Sequence, residues 1–294
     1  MNEPTRIDRP LDLASVRPAR ETLARVVALA LEEDLGRGDV TTAATVPWET
    51  RGEAVLAARR PLVLSGLCVV REVYAQVDPE VDVIAIAQDG DRLTRGDVAA
   101  RIRGRAASLL SGERVALNFA QRMSGTATLA RAYVDALPAG SRTRIADTRK
   151  TTPGLRALER YAVRCGGAHN HREDLSAAVL VKDNHIAAAG GVGIAIRRAR
   201  AHAPHTSRIE CEVDTMAQLD EALAAGADIV LLDNFDDATL AEAVHIVAGR
   251  AIVEVSGGVT LERIPRIAAT GVDVISAGAL THSAPAVDLG LDWC

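Results

Sequence analysis

The sequence has few aromatic residues and no paired cysteines. Its 294 residues include 2 Trp, 3 Tyr and 2 Phe, and its four cysteines stand alone at positions 68, 165, 211 and 294. So few aromatic rings leave no platform on which nucleic-acid bases could stack. Cysteines without a Cys-x-x-Cys spacing are typical of ordinary thiols in a reducing compartment.

The sequence also lacks a long apolar run and an excess of basic charge. No stretch approaches the roughly 18 uncharged apolar residues that a membrane span requires, and the charged N-terminus, MNEPTRIDRPLDL, lacks the apolar core of a signal peptide. Lys and Arg number 34 against 39 Asp and Glu, a formal charge of -5 that argues against a nucleic-acid-binding surface. We therefore expect a cytoplasmic protein that binds neither nucleic acid nor membranes.

Aliphatic residues are abundant. Hydrophobic residues make up 48% of the chain, which is enough to build a core from Ala, Val, Leu and Ile and argues against disorder. The helical spacing of apolar residues predicts helices over 20–35 and 113–137. The segment GRGDVTT (36–42) is typical of a turn or loop, and three apolar runs predict strands, at 53–58, 62–70 and 81–87. We expect this first half to be an α+β domain.

From about residue 140, short strand-like segments alternate with helical stretches. The six segments lie at 142–147, 177–182, 208–213, 228–233, 251–256 and 272–276. This alternation predicts parallel βαβ units. The spacings from Glu212 to Asp233, then to Ser256 and then to Gly278 are 21, 23 and 22 residues. A period this constant indicates either a barrel or a doubly wound sheet.

Polar residues or glycines follow the end of each of these strands. In chain order they are Asp147, Thr148, Arg149 and Lys150; Lys182, Asp183 and Asn184; Glu212 and Asp214; Asp233 and Asn234; Ser256, Gly257 and Gly258; and Gly278. The carboxyl ends of parallel barrel strands converge at one mouth, where the active sites of such folds lie. We therefore predict that these residues form one site.

The cations expected at this mouth indicate an anionic ligand. Four cations and a histidine come together there: Arg149, Lys150, Arg172, Lys182 and His171. Arginine presents planar donors that match a carboxylate or a phosphate with two hydrogen bonds. So many cations would repel one another unless an anion lay among them. We therefore expect a ligand with several negative charges.

Carboxylates and glycine-rich turns complete the predicted site. Glu212 and Asp233 can form structural ion pairs, bind sugar hydroxyls, or hold a divalent ion such as Mg²⁺ together with substrate phosphates. The turns VSGGV (255–259) and SAGAL (276–280) allow backbone N–H groups to approach an anion closely, as in phosphate sites after the last strands of a barrel. Together these features predict a phosphorylated sugar bound beside an anionic partner.

Several of these segments resemble one enzyme family. The run ADTRKTTPGLRALERYAVRCGGAHNHR (146–172) is followed by VKDNH (181–185), ECEVD (210–214), LLDNF (231–235), VSGGV and GALTHS (278–283). In this order they resemble the quinolinate phosphoribosyltransferases, also called nicotinate-nucleotide pyrophosphorylases (carboxylating). EDLGRGDVTT (33–42) and ERVALNFAQRMSG (113–125) extend the likeness to nearly the whole chain.

The resemblance implies a fold, a reaction and an assembly. The fold is α/β, with an N-terminal α+β sandwich-like domain over 1–118 and an incomplete parallel αβ barrel of about six strands over 119–280. The tail, 281–294, packs back on the first domain. The reaction joins quinolinate to phosphoribosyl pyrophosphate with Mg²⁺ and gives nicotinate mononucleotide, pyrophosphate and CO₂ in de novo NAD biosynthesis. The assembly is a homodimer or a multiple of dimers, with Arg114 reaching into the partner's site.

The resemblance also implies roles for individual residues. The substrate-binding residues are Arg114, Thr148, Arg149, Lys150, His171, Arg172, Lys182, Glu212, Asp233, Ser256, Gly257, Gly258, Ala277, Gly278 and Ala279. The arginines and the histidine would face the carboxylates of quinolinate, and the serine and the glycine-rich backbone would hold the 5′-phosphate. Glu212 and Asp233 would hold ribose hydroxyls and, mainly through substrate and water, the metal. With Lys150 and Lys182, which face the pyrophosphate, they are the expected catalytic residues.

Other interpretations remain open at this point. Ala168, Asp174 and Ala177 differ from the pattern of the family, so the resemblance does not fix the path of the loop over 166–178. An aldolase could form a Schiff base on Lys182. A non-catalytic relative, such as a metal-transport accessory protein, could share the fold. Nicotinate phosphoribosyltransferase takes a substrate with one carboxylate, whereas the number of cations here favours quinolinate with two.

Overall fold

The computed structural model describes residues 12–294, and its N-terminal half is an antiparallel sheet covered by helices. The helices are α1 (Arg20–Leu35), α2 (Val40–Thr45), α3 (Leu67–Val77) and α4 (Ala106–Asp135). The strands are β1 (Arg51–Ala58), β2 (Leu62–Val63), β3 (Asp82–Ala85), β4 (Arg92–Leu93) and β5 (Val98–Arg105). Strands β1, β5 and β3 form one sheet, and β2 pairs separately with β4.

The helix predicted over 20–35 is confirmed as α1. It buries Leu23, Val27 and Leu31, which recur every four residues along one helix face. The strands predicted at 53–58 and 81–87 correspond to β1 and β3. Local periodicity therefore predicts these elements well.

Two predictions for this half are wrong. The strand predicted over 62–70 ends at Val63, and helix α3 begins at Leu67 and buries Val69, Val70 and Val73. A short apolar run is compatible with a buried helix as well as with a strand, so periodicity alone cannot separate them. The loop predicted over 36–42 ends early, because Asp39 caps α2 by accepting the Thr42 amide N–H at 2.9 Å.

Helix α4 connects the two halves of the molecule. It begins at Ala106 rather than at residue 113 and continues to Asp135. Its residues as far as Ala127 pack in the N-terminal core, and Ala130 and Tyr133 pack in the core of the second half. The predicted division after residue 118 therefore falls within a continuous helix.

The C-terminal half is a six-stranded parallel sheet whose strands alternate with helices. The strands are β6 (Arg144–Ala146), β7 (Val179–Val181), β8 (Ile209–Val213), β9 (Ile229–Asp233), β10 (Ile252–Ser256) and β11 (Val274–Ser276). The helices are α5 (Arg156–Cys165), α6 (Asp183–Ala189), α7 (Val192–His202), α8 (Met216–Ala224), α9 (Asp237–Val247), α10 (Ile264–Ala269) and α11 (Ala279–His282). Every strand predicted from the sequence for this half is present.

The strand order is that of a barrel that is not closed. It runs β6–β11–β10–β9–β8–β7, so the consecutive strands β6 and β7 occupy the two edges of the sheet. The predicted α/β fold, with an incomplete six-stranded parallel barrel and an N-terminal α+β domain, is confirmed. Along residues 12–294, no helix combines the length and the apolarity that crossing a membrane requires.

The C-terminal tail returns to the N-terminal sheet. It passes α4 at Gly125, where a Cβ atom would lie 2.1 Å from the carbonyl oxygen of Pro285, so the close approach requires glycine. The tail ends in β12 (Leu289–Trp293), which pairs antiparallel with β1. Gln121 of α4 donates a hydrogen bond to the Leu289 carbonyl at 2.8 Å. The N-terminal sheet therefore contains a strand from the far end of the sequence.

Candidate active site

The carboxyl ends of the parallel strands surround a cavity of about 330 Å³. Nine residues that the sequence predicts for the site line it: Thr148, Arg149, Lys150, His171, Arg172, Lys182, Glu212, Asp233 and Ser256. They follow or end β6 to β10, or lie in the segment between α5 and β7. The alternation of strands and helices thus brings distant parts of the sequence to one place.

The cationic part of the cavity begins after β6. The Arg149 Nε atom is buried and has no hydrogen-bond partner among residues 12–294. Lys150 is held by its backbone, because its amide N–H donates to Thr148 Oγ1 at 3.1 Å and its carbonyl accepts the Thr281 hydroxyl at 2.8 Å. Lys150 is exposed, and its side chain passes close to Gly278, where a Cβ atom would lie 2.9 Å from the lysine Cδ.

A short segment after α5 lies beside the edge strand β6. His169 donates its amide N–H to the Ile145 carbonyl at 2.8 Å, and its own carbonyl accepts the Asp147 amide N–H at 3.0 Å. These bonds form a parallel bridge on the free edge of β6, which does not pair with β7 because β7 lies at the opposite edge of the sheet. The bridge carries His171 and Arg172, which follow in the sequence, to the cavity.

Asp147 anchors this segment from beneath. It is fully buried, and its carboxylate accepts the His171 amide N–H at 2.7 Å and the Asn170 side-chain amide at 2.6 Å. Burial raises the pKa of Asp147, whereas these hydrogen bonds and the charge of Arg160 oppose the rise. The sequence placed Asp147 at a strand end without a role, and the structure shows that it fixes the neighbouring segment.

Arg172 is the second cation with an unsatisfied donor. Its Nη1 donates to the Ala178 carbonyl at 3.0 Å, but its Nε is buried without a hydrogen-bond partner in the described part of the chain. Burial, together with the positive charge of Arg149, lowers the pKa of Arg172. An anion bound between the two guanidinium groups would satisfy both donors and offset their repulsion.

Carboxylates from β8 and β9 line another part of the cavity. Glu212 forms an ion pair with Lys182, and Asp233 Oδ2 accepts the Asn234 side-chain amide at 2.8 Å. Carboxylate oxygens suit Mg²⁺, which usually takes one or two of them together with substrate phosphates. Glu212 and Asp233 are not part of any set of three His, Cys, Asp or Glu side chains spaced to hold an ion among residues 12–294. They therefore fit Mg²⁺ only when substrate or water oxygens complete the site.

The turn after β10 is tightly packed. Gly257 has a φ of 77°, and a Cβ atom there would lie 2.3 Å from Asn234 Oδ1. Ser256 lines the cavity, and so does Ser276 of β11, which the sequence did not single out as a binding residue. Five other residues predicted to hold the phosphate follow these serines in the sequence but do not line the cavity: Gly257, Gly258, Ala277, Gly278 and Ala279.

Two buried glutamates were missed by the sequence reasoning. Glu210 of β8 and Glu254 of β10 are only 4% and 5% exposed, and His171 Nε2 lies 3.3 Å from the first and 3.4 Å from the second. Burial lowers the pKa of His171, but the two glutamates outweigh it and raise the pKa to about 10. Burial raises the pKa of Glu210. Each glutamate stands two residues before a predicted site residue, on the same face of its strand, which is the available sequence signal.

Two further expectations concern regions outside the cavity wall. Arg114 is exposed on α4 and does not line the cavity within one chain. In the loop over 166–178, Ala168 is buried, and Asp174 Oδ1 accepts the amide N–H groups of Ser176 and Ala177 at 2.8 and 3.0 Å. Asp174 and Ala177 therefore belong to a tight turn that leads into β7, whereas Ala168 packs in the interior before it.

Known proteins share this architecture. Models of the quinolinate phosphoribosyl transferase N-terminal and C-terminal domains match residues 39–124 and 126–292. A probable nicotinate-nucleotide pyrophosphorylase (carboxylating) of Bacillus subtilis is 44% identical over 260 residues, which are 88% of this chain and 89% of that protein. The nicotinate-nucleotide pyrophosphorylase (carboxylating) of Mycobacterium leprae is 45% identical over 282 residues, 93% of this chain and 96% of that protein.

A solved structure agrees with these sequence relatives. The nicotinate-nucleotide pyrophosphorylase from Francisella tularensis superposes with a TM-score of 0.90 at 36% identity, covering 95% of this chain and 99% of that one. The match spans both halves of the molecule and thus includes the cavity. The motifs, the two domain models and the superposition lead to the same conclusion: this chain belongs to the quinolinate phosphoribosyltransferase family.

Proposed function

We propose that this protein is a decarboxylating quinolinate phosphoribosyltransferase. It transfers the phosphoribosyl group of phosphoribosyl pyrophosphate to quinolinate and releases nicotinate mononucleotide, pyrophosphate and CO₂ in NAD biosynthesis. The observation that carries the proposal is the pair of buried, unsatisfied Nε atoms on Arg149 and Arg172, which fit a ligand with two carboxylates. Membership of the family supports it. We also propose a cytoplasmic location, which cell fractionation would test.

The arginines account for the choice of acceptor. Quinolinate carries two carboxylates on adjacent carbons of a planar ring, and each guanidinium group offers a planar pair of donors to one of them. Nicotinate has one carboxylate, so one buried donor would stay unsatisfied, at a cost of about 1–3 kcal/mol. The site therefore favours quinolinate over nicotinate.

The remaining cavity residues suit phosphoribosyl pyrophosphate. Glu212 and Asp233 can accept hydrogen bonds from the ribose hydroxyls, and Lys150 and Lys182 can neutralise the pyrophosphate. The turns after β10 and β11 would hold the 5′-phosphate through Ser256 and backbone N–H groups. The lysines bring positive charge to the leaving group and the carboxylates bring negative charge to the sugar, which is the distribution that the reaction requires.

The chemical step needs electrostatic support rather than a protein nucleophile. As pyrophosphate leaves C1 of the ribose, positive charge develops on the sugar, as it does in glycoside cleavage. Glu212 and Asp233 offset this charge, and Lys150 and Lys182 stabilise the departing pyrophosphate. The arginines hold the pyridine nitrogen of quinolinate towards C1 for attack. The pyridinium that forms withdraws electrons, so the bond between C2 and its carboxylate breaks more easily and releases CO₂. The electron pair stays on C2, which then takes a proton from water.

We propose that Mg²⁺ binds together with phosphoribosyl pyrophosphate. Glu212 and Asp233 would hold it with the help of phosphate and water oxygens, and the ion would neutralise charge on the pyrophosphate. Chelation of divalent ions should abolish turnover, and added Mg²⁺ should restore it. Full activity in excess chelator would contradict this part of the proposal.

We also propose that the enzyme works as a homodimer or a multiple of dimers, in which the exposed Arg114 enters the partner's site. The chain offers a direct test by mixing two inactive variants, Arg114→Ala and Arg149→Ala. A dimer with one chain of each kind keeps one intact site, so random exchange should recover about a quarter of wild-type activity. No recovery after verified subunit exchange would contradict the sharing of sites.

Turnover with quinolinate, phosphoribosyl pyrophosphate and Mg²⁺ is the deciding measurement. We expect nicotinate mononucleotide to appear, with nicotinate used at least about 10-fold less efficiently in parallel reactions. Borohydride in the presence of carbonyl substrates should not trap an adduct on Lys182, which separates this reaction from an aldolase. A well-folded preparation without turnover of quinolinate would refute the proposed function.

A further inference from the structure

The His171 ring is held at both of its nitrogen atoms. Its Nδ1 accepts the backbone N–H of Arg172 at 2.7 Å. An amide N–H can only donate, so this contact favours an unprotonated Nδ1, whereas the two glutamates raise the pKa of the ring and favour its charged form. In either state Nε2 carries a proton. Nε2 faces Glu210 Oε1 at 3.3 Å and Glu254 Oε1 at 3.4 Å. The ring therefore has no nitrogen left for a hydrogen bond to a substrate.

Glu210 and Glu254 are unusual neighbours for an anion-binding cavity. Both are almost completely buried, and burial of a carboxylate is unfavourable unless it is paired. Apart from the contact with His171, Glu254 Oε1 has no hydrogen-bond partner within residues 12–294. Their charge would also repel a dianionic substrate. Apolar residues at these two positions would avoid both the cost of burial and the repulsion of the substrate. Since His171 is the group that both carboxylates contact, we infer that they act through it.

The contact at Nδ1 leads from the ring to Arg172. The amide N–H of Arg172 is bound to the ring, and its Nη1 is bound to the Ala178 carbonyl at 3.0 Å, which leaves the buried Nε for a ligand. On the other side, Asp147 holds the His171 amide N–H at 2.7 Å. The ring thus lies between the glutamates and the Arg172 backbone, and its orientation sets the place from which the guanidinium group extends.

We propose that Glu210 and Glu254 are positioning residues that orient His171 and thereby fix the Arg172 guanidinium for one carboxylate of quinolinate. The identity of that ligand rests on the proposed function, whereas the orientation of the ring does not. Loss of either carboxylate should therefore weaken the binding of quinolinate and leave phosphoribosyl pyrophosphate largely unaffected.

Steady-state kinetics test this division between the two substrates. Glu254→Gln and Glu210→Gln keep the shape of the side chain and remove its charge. We expect the KM for quinolinate to rise about 10-fold and the KM for phosphoribosyl pyrophosphate to stay within about twofold. The fall in kcat should be smaller than the rise in the KM for quinolinate. Glu242→Gln, on the exposed surface of α9, is the matched control and should change none of them. Equal rises in both KM values, or no rise for quinolinate, would overturn the proposal.

A double-mutant cycle tests whether the effect passes through His171. In a His171→Ala background the ring that Glu254 contacts is absent, so adding Glu254→Gln should change the KM for quinolinate by less than about twofold. A further 10-fold change in that background would mean that Glu254 acts on the substrate directly, and would overturn the positioning role. Thermal melting of each variant establishes that the comparison is made between folded proteins.

The protonation pattern of the ring can be measured without any activity. In wild-type protein labelled with ¹⁵N-histidine, the His171 signals, assigned by their loss in His171→Ala, should show a proton on Nε2. An unprotonated Nε2 would overturn the proposal, and so would a stoichiometric metal ion that Glu254→Gln removes, because Nε2 would then be a ligand. If the enzyme did not use quinolinate, the proposed function would fail, but this result would still decide the orientation of the ring.

Discussion

Glu53, Arg101 and Arg103 in the N-terminal sheet are paired with one another, whereas two arginines at the mouth of the barrel keep donors without partners. Glu53 of β1 accepts hydrogen bonds from Arg101 at 2.7 Å and from Arg103 at 2.5 Å, both on β5. The bond from Arg103, followed by that from Arg101, lowers the pKa of Glu53. At the mouth, Arg149 and Arg172 keep buried Nε atoms without partners in the described part of the chain.

This contrast separates charges that serve the fold from charges that serve a ligand. Ion pairs on the surface contribute little to stability because water and salt screen them. A buried donor without an acceptor costs about 1–3 kcal/mol, so the mouth is less stable than it would be with internal pairs. A bound dianion supplies the missing acceptors. The unpaired donors are therefore the part of the charge pattern that points to function.

The largest effect is expected from removing one of the unpaired cations. Arg149→Ala should lower kcat/KM for quinolinate by at least about 100-fold, because charge-assisted hydrogen bonds to a carboxylate are lost. Its melting temperature should not fall below that of the wild type, because the variant also removes an unsatisfied buried donor. Arg103→Ala, an equal truncation in the N-terminal sheet, should change neither quantity measurably. Near-normal turnover of Arg149→Ala would show that this arginine does not hold a carboxylate.

A smaller effect is expected from crowding the turn at the mouth. Gly257→Ala places a Cβ atom against Asn234 and forces a φ of 77° on a residue with a side chain, so the KM for phosphoribosyl pyrophosphate should rise about 10-fold. Gly96→Ala is the control in the N-terminal half, because its φ is also positive, at 94°, but no atom lies within 4 Å of the new Cβ. The control should lose about 1 kcal/mol of stability and keep its kinetics. Equal kinetic changes in both variants would show that crowding at the mouth has no specific effect on the binding of phosphoribosyl pyrophosphate.

The smallest effect on catalysis is expected from a carboxylate that serves only the fold. Asp78 accepts the Ser108 hydroxyl at 2.7 Å and Arg105 Nη1 at 3.0 Å, and the Ser108 bond is the main cause that lowers the pKa of Asp78. A carboxyl with a lowered folded pKa stabilises the fold above its unfolded pKa of about 4, and this stability is lost as the pH falls through the folded value.

Asp78→Asn should therefore lower the melting temperature at neutral pH and flatten its fall in acid, with kcat/KM unchanged. Thermal melts between neutral pH and pH 3, set beside assays at neutral pH, check both parts. An acid limb identical to that of the wild type would show that Asp78 contributes no pH-dependent stability.

The sequence predicted the barrel better than it predicted the N-terminal half. Each barrel strand is a short apolar run that ends in polar residues, and this local pattern is enough to place the strands and to bring nine predicted residues to one cavity. The run over 62–70 is equally apolar, but only Leu62 and Val63 form a strand and residues 67–70 begin helix α3, because packing against α1 and α4 decides between the two. The local sequence does not determine that packing.

The features of the site that the sequence did not predict depend on contacts between residues far apart in the chain. The partner of Glu210 is His171, 39 positions earlier in the chain, and nothing near either residue indicates the pairing. Asp147 was visible at a strand end, but its hydrogen bonds to the segment after α5 appear only in the folded molecule. Arg114 lies away from the cavity of its own chain, so its role stays a prediction about an assembly.

The pairing of β12 with β1 sets an order of events during synthesis. The ribosome makes β1 early, but the residues of β12 follow the whole barrel in the sequence. Until they emerge, one edge of β1 lacks its neighbour, and an unpaired edge is prone to associate with other chains. The N-terminal sheet can be completed only after the barrel has been made. A truncated or stalled chain therefore exposes an aggregation-prone edge of β1 even when all the other strands of that sheet are present.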